Sequence, residues 1–342
     1  MSSTGDQGEA GVAAGLAAVV SRRFGGGARV AGLERLSGGA SQELWSFDVE
    51  TDADGRLPLI LRRTPGGSIQ REGASGMETE ARLIELARAA GAPVPPVVHV
   101  CQPDEGLGRG YVMERIAGET IARRILRDDA YAEARPKLAR QLGEAAARIH
   151  VVDVGAAGPL RAVTPQSSLE GSYAGYKGYG TPRPVVEWAF SWLRAHQPPP
   201  PSRRTVVHGD MRTGNVIVGP RGLEAVLDWE AVHVGDPMED LGWICVTSWR
   251  FGEVDKPAGG FGSREELFAG YEAVSGEPVD ASRVRWWEVM GTLRWGMSCA
   301  MFGREFQQGD RSVEKAAIGR RASETAIDLL AILSPRGAYR HA

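Results

Sequence analysis

Three oxygen-bearing side chains in the second half of the chain are spaced for chemistry on a phosphorylated substrate. Asp210 follows a short predicted strand in the segment HGDMRTGN, Asn215 lies five residues further on, and Asp228 ends the next predicted hairpin. This order brings the three side chains to one edge of a two-stranded ribbon. Phosphoryl transfer needs a carboxylate that orients an acceptor hydroxyl and hard oxygen ligands for Mg²⁺. Asp, Asn and Asp meet both needs.

The segments around these residues occur as three motifs in a fixed order. The chain reads HGDMRTGN, then VLDWE, then GDPMEDL. In these motifs it resembles the aminoglycoside phosphotransferase and choline-kinase-like enzymes, a family with a protein-kinase-like fold. The resemblance implies a small-molecule kinase in which Asp210 is the catalytic base. It also implies that Asn215 and Asp228 bind Mg²⁺ and that His208 supports the catalytic loop through hydrogen bonds.

The resemblance assigns phosphate contacts in the first half of the chain as well. Arg62 on the third predicted strand and Glu80 on the following helix match the cation and glutamate that position the α- and β-phosphates, although the usual cation is lysine. If the strand register differs by one residue, Arg63 is the inward cation instead. The hairpin loop SGGASQ, which contains Gly39 and Ser41, is expected to cover the phosphates.

The strand YVMERI resembles the segment that joins the two lobes of such enzymes. Backbone groups of Glu114 and Ile116 are therefore expected to hydrogen-bond an adenine, which implies ATP as the phosphoryl donor. Backbone contacts leave no side-chain signature, so the residues themselves do not separate ATP from GTP.

Two further charged residues lie beside the predicted centre. Arg212 comes two positions after Asp210, where protein kinases carry a lysine that faces the γ-phosphate. A cation there would offset charge on the transferring oxygens or hold an anionic group of the acceptor, and a solvated loop arginine is the alternative. Glu230 either assists Mg²⁺, binds substrate or pairs with an arginine.

The apolar and turn patterns predict an α+β, two-lobed kinase-like fold. A short N-terminal amphipathic helix precedes a β-β-β-α-β-β order over residues 30–113, which indicates a small mixed sheet with one main helix. Beyond Gly118 the pattern is mostly helical, with a Tyr/Gly-rich loop predicted over residues 172–180. The expected division is a nucleotide-binding lobe at 1–114 and a catalytic and acceptor-binding lobe at 115–342.

Composition excludes several classes of protein. The formal net charge of −3 and the lack of a basic patch argue against nucleic acid or membrane as a partner. Cys101, Cys245 and Cys299 are too far apart for a C-x-x-C site and odd in number, which is typical of a reducing cytoplasm. The N-terminal apolar stretch has acids before it and arginines after it, the reverse of a secretory signal.

Two other functional classes remain open from the sequence. A catalytically silent binding module could share the fold, although it would usually lack Asp210 or Asp228. A metal-dependent hydrolase could use His208, Asp210, His233 and Asp236 as ligands. Against the hydrolase, His233 is equally well a surface-loop histidine, and Asp236 before Pro237 is a typical helix N-cap.

The expected acceptor is a small molecule with a hydroxyl group. From Trp243 to the C-terminus the chain carries 13 acidic and 13 basic residues, so no acidic excess is available for a polycationic antibiotic. The same stretch contains RVRWWEVMGTLRWGMSCAMFGR, which suits an apolar body with an anionic end. The sequence thus favours a neutral or anionic acceptor, such as a hydroxy acid or its thioester. The segments HGDMRTGN and GRRASE also resemble the group of these kinases found beside or fused to acyl-CoA dehydrogenases.

Overall fold

The N-terminal part of the molecule is a five-stranded sheet with one helix on each face. The structure, a computed structural model, describes residues 8–36, 42–51, 55–64, 76–178 and 182–334. The elements of this part are α1 (Glu9–Phe24), β1 (Arg29–Leu36), β2 (Glu43–Thr51), β3 (Gly55–Thr64), α2 (Met77–Ala89), β4 (Val97–Val100) and β5 (Arg109–Glu114). The strand order is β1-β2-β3-β5-β4, so β5 lies between β3 and β4, and every pairing is antiparallel.

Alternation along the strands decides which side chains meet each helix. Phe47 and Leu61 pack in a cluster with α1, whereas Tyr111 packs with α2 in the larger core. Because neighbouring residues of a strand point to opposite faces, Arg62 and Arg63 lie on different sides of β3. Arg62 is thereby on the face that carries α2.

The C-terminal part is mostly helical. Its elements are α3 (Ala122–Arg127), α4 (Arg135–His150), α5 (Val154–Ala157), α6 (Pro165–Lys177), α7 (Pro184–Ala195), β6 (Thr205–Val207), β7 (Val216–Gly219), β8 (Gly222–Val226), β9 (His233–Gly235), α8 (Met238–Ile244), α9 (Arg264–Ser275), α10 (Ala281–Gln307), α11 (Val313–Gly319) and α12 (Ala322–Leu333). β7 pairs with β8 as the predicted ribbon, and β6 pairs with β9. The loop between β6 and β7 carries HGDMRTGN.

The packing of α4 against α9 fixes the helix that supports this loop. A Cβ added at Gly143 would lie 2.0 Å from the carbonyl oxygen of Leu267, and one added at Gly270 would lie 2.0 Å from that of Arg140. Only glycine allows the two backbones to approach this closely. The contact holds α4 in place, and its last residue, His150, is buried beside Asp240 of α8.

Three sequence-based expectations need correction. The Tyr/Gly-rich loop predicted over 172–180 is helical up to Lys177, because Tyr173 and Tyr176 pack on Phe190 with ring centroids 4.9 and 5.5 Å apart. Tertiary packing here outweighs the low helix propensity of glycine. The apolar pattern over residues 312–333 predicts a single helix, but the structure has two there, α11 and α12, and strand β9 was not predicted at all. The N-terminal helix and the β-β-β-α-β-β order are confirmed.

Within these described ranges, no helix combines the length and the apolar character needed to cross a bilayer. Strand β5 ends at Glu114, and the lobe boundary at that residue stays a prediction.

Candidate active site

A buried carboxylate, that of Asp240, fixes the backbone of the loop between β6 and β7, which is called the catalytic loop below. Asp240 accepts hydrogen bonds from the amides of His208 and Gly209, both at 2.8 Å, and its Oδ2 lies 3.0 Å from His150 Nε2. Burial alone would raise the pKa of Asp240, but the contacts with His150, His208 and Gly209 hold it below its usual range. Sequence reasoning missed Asp240 as a site residue, although it is the second aspartate of the GDPMEDL motif.

The Asp210 carboxylate accepts hydrogen bonds from three side chains. Its Oδ1 accepts from Trp243 Nε1 at 2.8 Å and from Arg212 Nε at 3.1 Å, while its Oδ2 accepts from Asn215 Nδ2 at 2.7 Å. The Asn215 amide nitrogen also donates to the Asp210 carbonyl at 3.0 Å. These bonds fix the rotamers of both side chains, and they bring Asp210 and Asn215 together as the sequence predicted.

His208 lies directly under this arrangement. It is fully buried, its Nδ1 accepts from the Asp210 amide at 3.3 Å, and Trp229 meets its ring edge-on at 5.0 Å. Burial lowers the pKa of His208, so the imidazole is neutral near pH 7. A neutral ring that accepts a loop amide is suited to support the loop, which is the role the resemblance implies.

Arg62 connects the sheet to helix α2 and to Asp228, which lies two residues after β8. Its Nε lies 3.2 Å from Glu80 Oε2 and its Nη2 lies 2.9 Å from Asp228 Oδ1. Arg63 points to the opposite face, where it binds Glu43 at 2.8 Å. Arg62, and not Arg63, is therefore the cation beside Asp228.

Burial changes the protonation of this group. It raises the pKa of Glu80 to about 7, although Arg62 opposes the shift, and Tyr111 donates its hydroxyl to Glu80 at 3.3 Å. Despite burial, which opposes the shift, the neighbouring carboxyl groups of Glu80 and Asp228 raise the pKa of Arg62, which stays cationic. Asp228 has a left-handed backbone conformation with φ of 67°, which is uncommon for a residue other than glycine and clusters at functional sites.

A cavity of about 190 Å³ connects the two parts of the molecule at these residues. The cavity is lined by four polar or charged residues, Arg62, Tyr111, Asn215 and Asp228. Its other lining residues are Leu44, Ile84, Pro95, Met113, Gly214, Val226, Leu227 and Trp229. Apolar walls with a few convergent polar groups are typical of a small-molecule site.

The donor set in this cavity fits a hard cation such as Mg²⁺. The amide nitrogen of Asn215 is committed to Asp210, which leaves its carbonyl oxygen for another partner. Asp228 supplies a carboxylate of which one oxygen contacts Arg62. Oxygen ligands of this kind are those that Mg²⁺ prefers. Glu230 accepts a hydrogen bond from Gln42 at 3.1 Å.

The predicted adenine contacts are only partly compatible with the structure. The amide of Glu114 donates to the Pro96 carbonyl at 3.0 Å, so an adenine contact at Glu114 would fall to its carbonyl. Ile116 lies two residues after the end of β5. Gly39 and Ser41, expected to cover the phosphates, lie outside the described residues.

Arg212 is not a solvated loop arginine. Its guanidinium lies over the Trp249 ring at 4.6 Å while its Nε binds Asp210. The Trp249 ring continues into an aromatic cluster, with centroids 5.2 Å from Trp243 and 4.9 Å from Trp295. Sequence reasoning did not place Trp243 at Asp210.

The residues proposed for a two-metal hydrolase have other partners. His233 is buried and lies 3.2 Å from Glu239, so its interpretation as a surface-loop residue is wrong. Asp236 accepts from the Met238 amide at 3.0 Å, as an N-cap does, and pairs with Arg283 at 2.7 Å. Over the part of the chain that the structure describes, no group of three or more His, Cys, Asp or Glu residues could hold a metal ion.

Comparison with known proteins assigns the family. Residues 32–276 match the model of the phosphotransferase enzyme family, APH, and the chain belongs to this family. It is 31% identical over 206 residues to acyl-CoA dehydrogenase family member 10 of Mus musculus, a match that covers 55% of the chain but only 18% of the mouse protein.

Solved structures show the same fold. An aminoglycoside phosphotransferase candidate from Ralstonia eutropha superposes with a TM-score of 0.68 at 22% identity, covering 93% of this chain and 97% of that one. Aminoglycoside phosphotransferase APH(4)-Ia, in a ternary complex with AMP-PNP and hygromycin B, gives a TM-score of 0.58 at 18% identity, covering 92% and 98%. The molecule therefore has the two-lobed, kinase-like phosphotransferase fold that the sequence motifs predicted.

Proposed function

We propose that the protein transfers the γ-phosphoryl group of ATP to a hydroxyl group of a small molecule, with Mg²⁺ as cofactor. One observation carries this proposal: Asp210 and Asn215 are joined at 2.7 Å, and Asn215 lines the same cavity as Arg62 and Asp228. A base, two metal-binding oxygens and a phosphate-binding cation thus converge. The related APH(4)-Ia structure contains AMP-PNP, which supports an adenine nucleotide as the donor.

In this proposal the N-terminal residues bind the nucleotide. Arg62 is held in place by Glu80 and Asp228, and its planar guanidinium presents two parallel N–H donors to phosphate oxygens. Asn215 and Asp228 would hold Mg²⁺, which offsets negative charge on the phosphates when it is bound. Glu114, through its carbonyl, and Ile116 would contact the adenine.

Asp210 acts on the acceptor. Its carboxylate accepts the hydroxyl proton while the acceptor oxygen forms a bond to the γ-phosphorus and the bond between that phosphorus and the bridging oxygen breaks. The products are the phosphorylated acceptor and ADP. Arg212, two residues from the base, offsets charge on the transferring oxygens or binds an anionic group of the acceptor.

We further propose that the acceptor is neutral or anionic with an apolar part. The cluster of Trp243, Trp249 and Trp295 lies beside Asp210, and arginines lie over these rings: Arg212 over Trp249 at 4.6 Å and Arg321 over Trp295 at 5.8 Å. Aromatic faces and cations suit a hydroxy acid or its thioester better than a polycationic antibiotic. The mouse relative is an acyl-CoA dehydrogenase family member, which favours the same choice.

An acceptor screen tests the proposal. ADP release from Mg·ATP is measured with hydroxy acids, with their thioesters and with kanamycin-type aminoglycosides. We expect faster release with a hydroxy acid or thioester. Efficient phosphorylation of kanamycin at micromolar concentration, with none of the other two classes, would overturn the acceptor assignment and leave the kinase assignment intact.

We also propose that the enzyme is cytoplasmic. Cys101, Cys245 and Cys299 are all buried free thiols, and proteins of oxidising compartments more often use cysteines in disulfides.

A further inference from the structure

Two donors of different kinds converge on one oxygen of Asp210. Trp243 Nε1 donates to Oδ1 at 2.8 Å and Arg212 Nε donates to the same atom at 3.1 Å. Trp243 belongs to α8, whereas Arg212 belongs to the catalytic loop itself. The carboxylate is thus held from outside its own loop by a neutral side chain.

The indole of Trp243 has little freedom to move. A Cβ added at Gly291 of α10 would lie 2.8 Å from the Trp243 ring, so the ring lies directly against that helix. The Trp249 ring packs against Trp243 with ring centroids 5.2 Å apart, and the Arg294 guanidinium lies 5.8 Å from the centroid of the Trp243 ring. A rigid aromatic ring loses little further entropy when its N–H makes a hydrogen bond. Its donor is therefore preorganised toward Asp210.

We propose that Trp243 is a positioning residue for phosphoryl transfer. Its N–H fixes the rotation of the Asp210 carboxylate, so that Oδ2, which accepts only from Asn215 among the described residues, presents its remaining lone pair to the acceptor hydroxyl. Arg212 cannot replace this function, because its guanidinium is drawn to any phosphate or acceptor anion that enters the site. This inference rests on the proposed function, since it assigns a role in the same reaction.

A purely structural role would make Trp243 equivalent to any other large core residue, and Trp287 provides the comparison. Trp287 is 2% exposed, packs edge-on against Trp286 at 4.8 Å, and its Nε1 has no hydrogen-bond partner among the described residues. Replacing either tryptophan by phenylalanine removes similar ring volume, but only the change at Trp243 removes a hydrogen bond to the base.

The test compares Trp243→Phe with Trp287→Phe by ADP release from Mg·ATP, with water as the phosphoryl acceptor. We expect kcat of Trp243→Phe to fall by about 10- to 100-fold with KM for ATP changed less than about twofold, since a displaced base slows chemistry without weakening nucleotide binding. Trp287→Phe is expected to keep both constants near those of the wild type. A wild-type kcat in Trp243→Phe, or an equal loss in Trp287→Phe, overturns the inference.

A second variant separates the hydrogen bond from folding. Incorporation of 3-benzothienylalanine at position 243 keeps the ring shape but replaces the N–H by sulfur, and it is expected to lower kcat as phenylalanine does. Full activity of that variant would also overturn the inference. If the wild-type protein binds Mg·ATP but releases no ADP with water or with any acceptor of the screen, the proposed function fails and the role of Trp243 fails with it. Wild-type turnover with an unaffected Trp243→Phe contradicts only the positioning role.

Discussion

We propose that Arg62 takes the place of the lysine usual in such enzymes, and the geometry around it suits a planar group. It lies 3.2 Å from Glu80 and 2.9 Å from Asp228 at the same time, a bridge that the forked guanidinium can make and a single ammonium point charge makes less well. The buried Glu80 carboxylate would be an uncompensated charge without this partner. The cation and the glutamate therefore act as one unit.

This unit predicts non-additive kinetics. Arg62→Ala and Glu80→Ala are each expected to lower kcat/KM for ATP by about 10-fold or more, and the double variant is expected to lose little beyond either. Arg63→Ala is the control, because Arg63 binds Glu43 on the other face of β3 and its loss should leave KM for ATP unchanged. Additive losses at Arg62 and Glu80 would show that they act separately.

Asp228 predicts a specific dependence on the metal. Asp228→Asn keeps the size of the side chain but removes the charge that a divalent cation requires, so Mg·ATP affinity is expected to fall by about 10-fold or more. ATP without metal is expected to bind as in the wild type. Calorimetric titrations with and without MgCl₂ measure both, and an unchanged Mg²⁺ dependence contradicts the assignment.

At the scale of elements, Asp240 connects α8 to the catalytic loop and to the end of α4. Asp240→Ala would leave the buried amides of His208 and Gly209 without an acceptor, and each such loss costs about 1–3 kcal/mol. We expect the free energy of unfolding to fall by roughly 3 kcal/mol or more in urea titrations. The control is Asp153→Ala, which removes an exposed N-cap side chain that accepts a hydrogen bond from the Gly155 amide at 3.0 Å. This change should lower the free energy of unfolding by only about 1 kcal/mol. Equal losses at the two positions would refute the buried role.

The elements also show what the sequence could and could not predict. The β-β-β-α-β-β order and the ribbon after HGDMRTGN were predictable because alternation and turn residues are local signals. Strand β9 has only three residues, and its pairing with β6 is a long-range contact without a local pattern. The helix at Tyr176 was missed for a related reason, since packing on Phe190 stabilises it against its glycines.

The candidate site likewise contains residues that the sequence could predict and residues that it could not. The motifs predicted that Asp210, Asn215 and Asp228 lie at one edge, because these residues share a loop and a hairpin. Trp243 and Asp240 approach Asp210 and its loop from α8, so only the tertiary fold reveals their contacts. Whether Arg62 or Arg63 lies on the face of β3 that carries α2 depends on the strand register, because a shift of one residue moves every side chain to the opposite face.

At the scale of the whole molecule, one partly buried acid is expected to make stability depend on pH. Burial raises the pKa of Asp328 on α12 to about 6, with Glu324 adding to the shift and Arg250 and Arg321 opposing it. Because the pKa is higher in the folded state, Asp328 contributes stability below its unfolded value near 4, and this contribution is lost as pH rises through about 6.

Asp328→Asn removes the charge and should reveal this effect. At pH 7.5 the free energy of unfolding of the variant is expected to exceed that of the wild type by on the order of 1 kcal/mol, after allowance for solvent screening. At pH 4 the two are expected to be equal. Urea unfolding at the two pH values measures the difference. A gain of the same size at both values would mean that ionisation is not its cause.

The proposed role of Asp210 as the base of an ATP-dependent phosphotransferase is measured by ADP release from Mg·ATP in the presence of a hydroxyl acceptor from the screen. Asp210→Asn keeps the shape of the side chain and an oxygen that accepts from Trp243, but it cannot take the acceptor proton. We expect a rate at least about 100-fold below that of the wild type, with ATP affinity by calorimetry unchanged within about twofold. Release by Asp210→Asn at the wild-type rate would show that Asp210 is not the base.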